Sequence, residues 1–152
     1  MLKKLLVALT LATPLVLAAS VANAQNPEHI RQLLETRECM GCNLAGANLS
    51  GMHLIGADLR NANLQGANLQ GVNLEGADLT GANLKGANLT EAFLTNVNMK
   101  AANLDRANLS RATIHDSNVY QASMKDMNIT DADIFYTGIG IGGDSAEIPD
   151  WD

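Results

Sequence analysis

An aliphatic residue recurs every five positions from Leu44 to Ile134. The series runs Leu44, Leu49, Leu54, Leu59, Leu64, Leu69, Leu74, Leu79, Leu84, Leu89, Leu94, Met99, Leu104, Leu109, Ile114, Val119, Met124, Ile129, Ile134, nineteen positions without a break. Two residues before each centre stands a small or apolar residue, mostly Ala, as at Ala47, Ala57 and Ala62. One residue before it is usually Asn or Asp. A period of five fits neither the 3.6-residue helix nor the two-residue strand. It predicts a coiled path in which each five-residue segment makes one side and then turns. Gly in the fifth place, as at Gly46 and Gly86, supplies the positive φ of a type II turn.

The unit Ala-Asn-Leu-x-Gly, as in Ala67-Asn68-Leu69-Gln70-Gly71 and Ala82-Asn83-Leu84-Lys85-Gly86, resembles the pentapeptide-repeat family. The resemblance implies an all-β fold, a right-handed quadrilateral β-helix with four units per coil. The central aliphatic residue and the small residue two before it would face inward. Nineteen units would make 19/4 coils and, at roughly 4.8 Å per stacked strand, a rod about 23 Å long.

Residues 20 apart should then stack. Lys85, Asp105 and Lys125 form one column of alternating sign, Glu91, Arg111 and Asp131 a second, and Arg106 and Asp126 a third. Asp58 over Asp78 is a like-charge pair in the Asn position, where carboxylates can accept backbone N–H bonds.

The flanks divide the chain further. Residues 1–24 read as a secretory signal peptide: Lys3 and Lys4, an apolar stretch from Leu5 to Val21, and an Ala22-Asn23-Ala24 cleavage site. Residues 25–41 hold a short amphipathic helix over 27–37 and a Cys-x-x-Cys. Asn26 can cap this helix, Pro27 suits its first position, and Ile30, Leu33 and Leu34 share a face suited to covering the open end of the rod. The repeat is assigned to 42–136. In the remainder, 137–152, Ile139, Ile141, Ile148 and Trp151 are expected to cap the last coil.

Cys39 and Cys42 have two readings after export, a structural disulfide or a redox pair. Redox motifs usually open a helix, whereas this one follows a helix. Cys42 also falls in the inward small-residue position, which favours a buried structural sulfur. Two Cys without further ligands make a poor zinc site.

Aromatics are only 3% of the sequence, so an ordinary globular core is excluded and stacked units must supply the apolar interior. Without the leader the chain carries 8 basic and 16 acidic residues, which argues against binding nucleic acid or anionic lipid by charge. No membrane association is expected after leader cleavage. Neither catalytic, cofactor nor metal residues are assigned. His53 and His115 lie three coils apart, about 15 Å, too far to share an ion.

One side gathers the departures from the pattern. Before the centre it reads His53, Asn73, Phe93, Thr113, Asp133; after it, Ile55, Glu75, Thr95, His115, Phe135. With Tyr136 beyond and Tyr120 round the corner, the residues His53, Ile55, Phe93, Thr113, His115, Tyr120, Phe135 and Tyr136 form the candidate surface for an unknown protein partner. The plainer alternative is that the tail folds back over them.

The function expected is a non-enzymatic exported scaffold or interaction module, in a periplasm or thylakoid lumen. The leader, helix, Cys pair and immediate repeat resemble cyanobacterial and plant lumenal members of the family. A redox-responsive protein using Cys39 and Cys42 is the alternative. A DNA-mimicking gyrase binder, also known in the family, fits less well: residues 42–136 hold 9 acids against 6 bases, and a leader precedes them. The C-terminal end, with Phe135, Tyr136 and Trp151, is a candidate homodimer contact.

Overall fold

A computed structural model of the chain describes residues 26–137. The expected leader and the tail residues Ile139, Ile141, Ile148 and Trp151 lie outside the described residues.

The fivefold pattern builds a stack of parallel-paired coils. Every bridge joins residue i to residue i+20, from Glu38 with Asp58 to Asn108 with Asn128. Only on one side do the bridges lengthen into three-residue strands, β1 (Thr113–His115) and β2 (Asp133–Phe135), paired in parallel with Ile114 opposite Ile134. Pairing begins at Glu38, one unit before the start at 42 read from the sequence. Cys39, five before Leu44, occupies that unit's centre and is fully buried. Steps of five from Cys39 to Ile134 give twenty centres, or five coils of four.

Centres and small residues form one continuous core. Every centre from Leu44 to Ile114 is buried, together with inward residues such as Ala62, Val72 and Ala102. Burying a Leu contributes roughly 1.5–3 kcal/mol before conformational entropy is subtracted. The last coil differs. Met124 and Ile134 are half-buried and Ile129 is 39% exposed, because no described coil follows to cover them.

Each unit also satisfies its own backbone. In Ala67–Gly71, the Ala67 N–H closes the turn on the Leu64 carbonyl at 3.0 Å, and the Asn68 N–H reaches back to Ala47 at 2.8 Å. The Leu69 and Gly71 N–H groups reach forward to Asn88 and Thr90 at 2.7 and 2.8 Å. The remaining donor, Gln70 N–H, goes to the Asn68 side-chain oxygen at 3.3 Å. Five donors thus find five partners, as a buried backbone requires.

The first coil has no coil before it, and helix α1 (Pro27–Thr36) takes that place. Asn26 caps the helix by accepting from Glu28 N–H at 3.1 Å, and Arg37 ends it in the left-handed region at φ 64°. Leu33 is fully buried and Ile30 packs against the core. Leu34, expected on the same face, is 41% exposed. It lies one residue past Leu33, about 100° round a 3.6-residue helix, beyond the stripe that covers the coil. The N–H of Asn43 would reach back to a preceding coil; here His29 Nδ1 accepts it at 2.9 Å.

Fifth-place residues keep a positive φ whether or not they are Gly. Asn61, Glu91, Ala101, Arg111 and Gln121 all lie between 56° and 60°. A left-handed conformation costs a residue with a Cβ roughly 1–2 kcal/mol, so packing and hydrogen bonding override local preference at these corners. Ala101→Gly is therefore expected to raise the free energy of unfolding, by no more than about 1 kcal/mol once the extra freedom of Gly in the unfolded chain is subtracted. Urea denaturation measures it; a loss of stability would show that the Ala101 corner carries no strain.

Candidate interaction surface

The side chains one before each centre decide the character of each side. On the regular sides they are Asn, and successive coils link them. Asn68 Nδ2 donates to Asn48 Oδ1 at 3.1 Å, and Asn88 to Asn68 at 3.2 Å. Each side-chain oxygen also accepts the N–H two residues on, as in Thr90 to Asn88 at 3.2 Å. Asp58 and Asp78 do the same for Arg60 and Thr80, at 3.2 and 2.9 Å. This explains how like charges are tolerated one above the other: each carboxylate is turned onto its own chain. The backbone-acceptor role expected of Asp58 and Asp78 is thus met, and the fold extends it to the Asn series.

At Ser123 the Asn is missing and Asp105 of the preceding coil substitutes for it. Its Oδ1 accepts from the Ser123 hydroxyl at 2.5 Å and from Lys125 N–H at 3.0 Å. The Ser123 hydroxyl is the main cause holding the Asp105 carboxyl below its ordinary value, with the Lys125 N–H and the fields of Lys125 and Lys85 adding to it. Other corner columns pair directly. Arg111 reaches Glu91 at 2.6 Å and Arg106 lies 3.9 Å from Asp126. Arg60 also grips Asp58 within one unit, at 2.5 Å, and this bond is the largest cause of the lowered Asp58 pKa.

The side His53–Asn73–Phe93–Thr113–Asp133 forms a single ladder in that order. Phe93 is 51% exposed and has no oxygen to offer, so Thr95 N–H gains no acceptor from it. Ile55, Phe135 and Tyr136 are also exposed on this side, Tyr136 at 77%. Phe135 meets the His115 ring edge-on at 6.1 Å between centroids and packs on Tyr136 at 4.1 Å. His115 Nε2 is buried 2.9 Å from Asp133 Oδ2, but the ring N–H is not aimed for a hydrogen bond. His53 is exposed two coils before Phe93, and Thr113 is half-buried beneath it. Tyr120 lies on the neighbouring side, 59% exposed, with Lys100 Nζ 5.8 Å from its ring centre. The eight residues therefore fall into a compact group of His115, Phe135 and Tyr136, with Phe93 and Thr113 above it and His53, Ile55 and Tyr120 apart.

Ser117 was not singled out from the sequence, although a polar residue in an inward slot usually occupied by Ala marks it. It is buried, donates to the Leu94 carbonyl, and accepts from Val97 N–H at 3.0 Å. In the regular units such an N–H closes its own turn. The serine thus rewires the corner where β1 ends, below Phe93.

Cys39 and Cys42 form a disulfide across the first turn, Cα to Cα 5.2 Å, with both sulfurs in the core. Closing a loop this short contributes about 2 kcal/mol. Among the described residues no group of three or more His, Cys, Asp or Glu is placed to hold a metal ion.

The sequence matches the profile described as "Pentapeptide repeats", in eight copies, over residues 38–76 and 77–116. The chain belongs to the pentapeptide-repeat family. Members with solved structures include HetL, involved in heterocyst differentiation regulation in the cyanobacterium Nostoc, at 30% identity and a TM-score of 0.42. The match covers 62% of this chain and 50% of HetL, so the chain spans half the length of that relative. Rfr23 from the cyanobacterium Cyanothece is 26% identical over 72% of this chain and 96% of its own, with a TM-score of 0.40. A protein of the Arabidopsis thaliana thylakoid lumen is 28% identical over 64% of each chain, with a TM-score of 0.38. Among curated proteins none matches. Pentapeptide-repeat proteins are in general structural and interaction modules rather than enzymes.

Two outcomes follow from these contacts. Phe93→Asn restores an acceptor for Thr95 N–H and a link to Asn73, and is expected to stabilise the protein by about 0.5–1.5 kcal/mol; chemical denaturation reads it, and no gain would mean that Phe93 packing offsets the lost bond. The lowered Asp105 and Asp58 pKa values mean that the unfolded chain binds more protons than the folded one as pH falls below the ordinary value of 3.8. Their stabilisation is present above that value and is lost as pH falls through the lower folded values. Asp105→Asn should make the acid limb of a stability–pH profile shallower; an unchanged limb would remove Asp105 from the account.

Proposed function

We propose that this chain is a non-enzymatic, exported scaffold or protein–protein interaction module, working in a periplasm or thylakoid lumen. Its coil is taken to have the right-handed sense expected of the family, and its partner surface to be the side carrying His53, Ile55, Phe93, Thr113, His115, Phe135 and Tyr136, with Tyr120 adjacent. The observation that carries this reading is Phe93. At a position where Asn serves the backbone, the chain places an exposed aromatic and forgoes a hydrogen bond. A rule broken at a cost in stability points to a use for the exposed residue. Export rests on the leader pattern; no helix among the described residues is long and apolar enough to cross a membrane. A homodimer would form through the C-terminal end, where Phe135 and Tyr136 are exposed.

A redox-responsive role through Cys39 and Cys42 is the second reading. What favours it is the position of the disulfide directly under α1, where opening it would loosen the cap.

Affinity capture from the exported fraction of the source cells tests both readings. The baits are the protein and a Phe93→Asn/His115→Asn variant, each with and without reductant. The interaction reading expects a partner retained by the first bait and lost by the variant. Loss with reductant alone would support the redox reading, and a partner held equally under every condition would move the contact off this side.

A further inference from the structure

We infer that the Phe93–Tyr136 side takes an extended polypeptide segment carrying both basic and apolar side chains. This rests on the interaction-module reading and names the chemistry of its partner.

The charge on this side is of one sign. Its exposed columns, 53–56, 73–76, 93–96, 113–116 and 133–136, contain Glu75, Asp116 and Asp133 and neither Lys nor Arg. Elsewhere on the rod three carboxylates have an arginine within 4 Å, Asp58 with Arg60, Glu91 with Arg111 and Asp126 with Arg106, while Asp78 and Asp105 are met by hydroxyl and N–H donors. Among the described residues on this side, the carboxylate with a histidine within 4 Å is Asp133, and the His115 Nε2 beside it is not aligned for a hydrogen bond. Asp133 itself remains 72% exposed, with room for an incoming ammonium or guanidinium group.

The same columns interleave those carboxylates with the exposed apolar groups Ile55, Phe93, Phe135 and Tyr136. The two features select the partner together. A purely apolar segment would strip water from Asp116 and Asp133 without pairing them, which is costly. An acidic segment or a nucleic acid would be repelled. A segment with alternating basic and apolar side chains meets both demands, because its cations reach the carboxylates and the faces of Phe135 and Tyr136 while its apolar groups cover Phe93 and Ile55. The extended form follows from the straight ladder: successive coils offer anchor points about 4.8 Å apart along the rod.

Fluorescence anisotropy with three labelled probes of equal length tests this against the purified full-length protein. The probes are alternating Lys–Leu, alternating Lys–Ser and alternating Glu–Leu peptides. The Lys–Leu peptide is expected to bind at least about tenfold more tightly than either of the others, and less tightly as salt rises. An Asp116→Asn/Asp133→Asn variant and, separately, Phe93→Asn should each weaken it several-fold. Phe93→Asn is the safeguard against a folding artefact, since it is expected to stabilise the rod. Asp105→Asn, on the opposite side of the rod, should leave binding unchanged. The inference is overturned if the Lys–Leu peptide fails to bind, if Lys–Ser or Glu–Leu binds as well, or if the variants on this side bind like the parent. A partner captured from cells through Phe93 and His115, with no Lys–Leu binding, would overturn this partner class and leave the module reading standing. Lys–Leu binding that the variants on this side weaken supports the inference whether or not a partner is captured.

Discussion

The whole rod depends on every backbone N–H finding an acceptor within a five-residue unit. Four of the five donors are met by main chain, one within the turn, one in the coil before and two in the coil after. The fifth needs the Asn or Asp side chain that precedes the centre, as Asn68 serves Gln70. This requirement fixes the composition. Asn recurs because its oxygen accepts the N–H two residues on while its amide donates to the Asn oxygen of the coil before. Leu and Ala recur because the inward slots admit nothing polar without an internal partner. Ser117 is the exception that satisfies the same rule, exchanging hydrogen bonds with Leu94 and Val97 across one coil.

The ends of such a rod are where the rule fails, and the two ends are treated differently. At the N-terminal end α1 covers the core with Leu33 and Ile30, His29 accepts the Asn43 N–H, and the disulfide closes the first turn. At the other end the described chain stops with Ile129 exposed and Met124 and Ile134 half-covered. Among the described residues the N-terminal end of the core is therefore covered and the C-terminal end is not.

Much of this was legible in the sequence, because register follows from period alone. Once the period is five and the coil twenty, the column His53, Asn73, Phe93, Thr113, Asp133 is determined without knowing any side-chain conformation. The same arithmetic would have placed Cys39 five before Leu44 as a centre and Gly41 five before Gly46 as a corner; a sulfur in an aliphatic series hid it. Conformation was not legible. That Asp105 serves Ser123 and Lys125 rather than pairing with a Lys ammonium, that Arg60 turns onto Asp58, and that Leu34 faces outward all depend on distances of an ångström or two, which a repeat pattern leaves open.

The relation between the two halves then has a physical reading. The first half obeys the pattern closely, with Gly at most of its corners and Asn along most of its sides, and its departures are few, among them His53, Ile55 and Glu75. The second half gives up the relaxed corner, holding Glu91, Ala101, Arg111 and Asp116 in the left-handed region, and gives up an Asn at Phe93. Some corner residues recover part of that cost through ion pairs such as Glu91 with Arg111. Phe93, Phe135 and Tyr136 recover little, for aromatic surface left in water contributes no burial. A chain that writes Ala-Asn-Leu-x-Gly four times between 47 and 86 builds its coils without such residues, so the hydrogen bonds and burial that hold the rod together give no reason for Phe93, Phe135 and Tyr136.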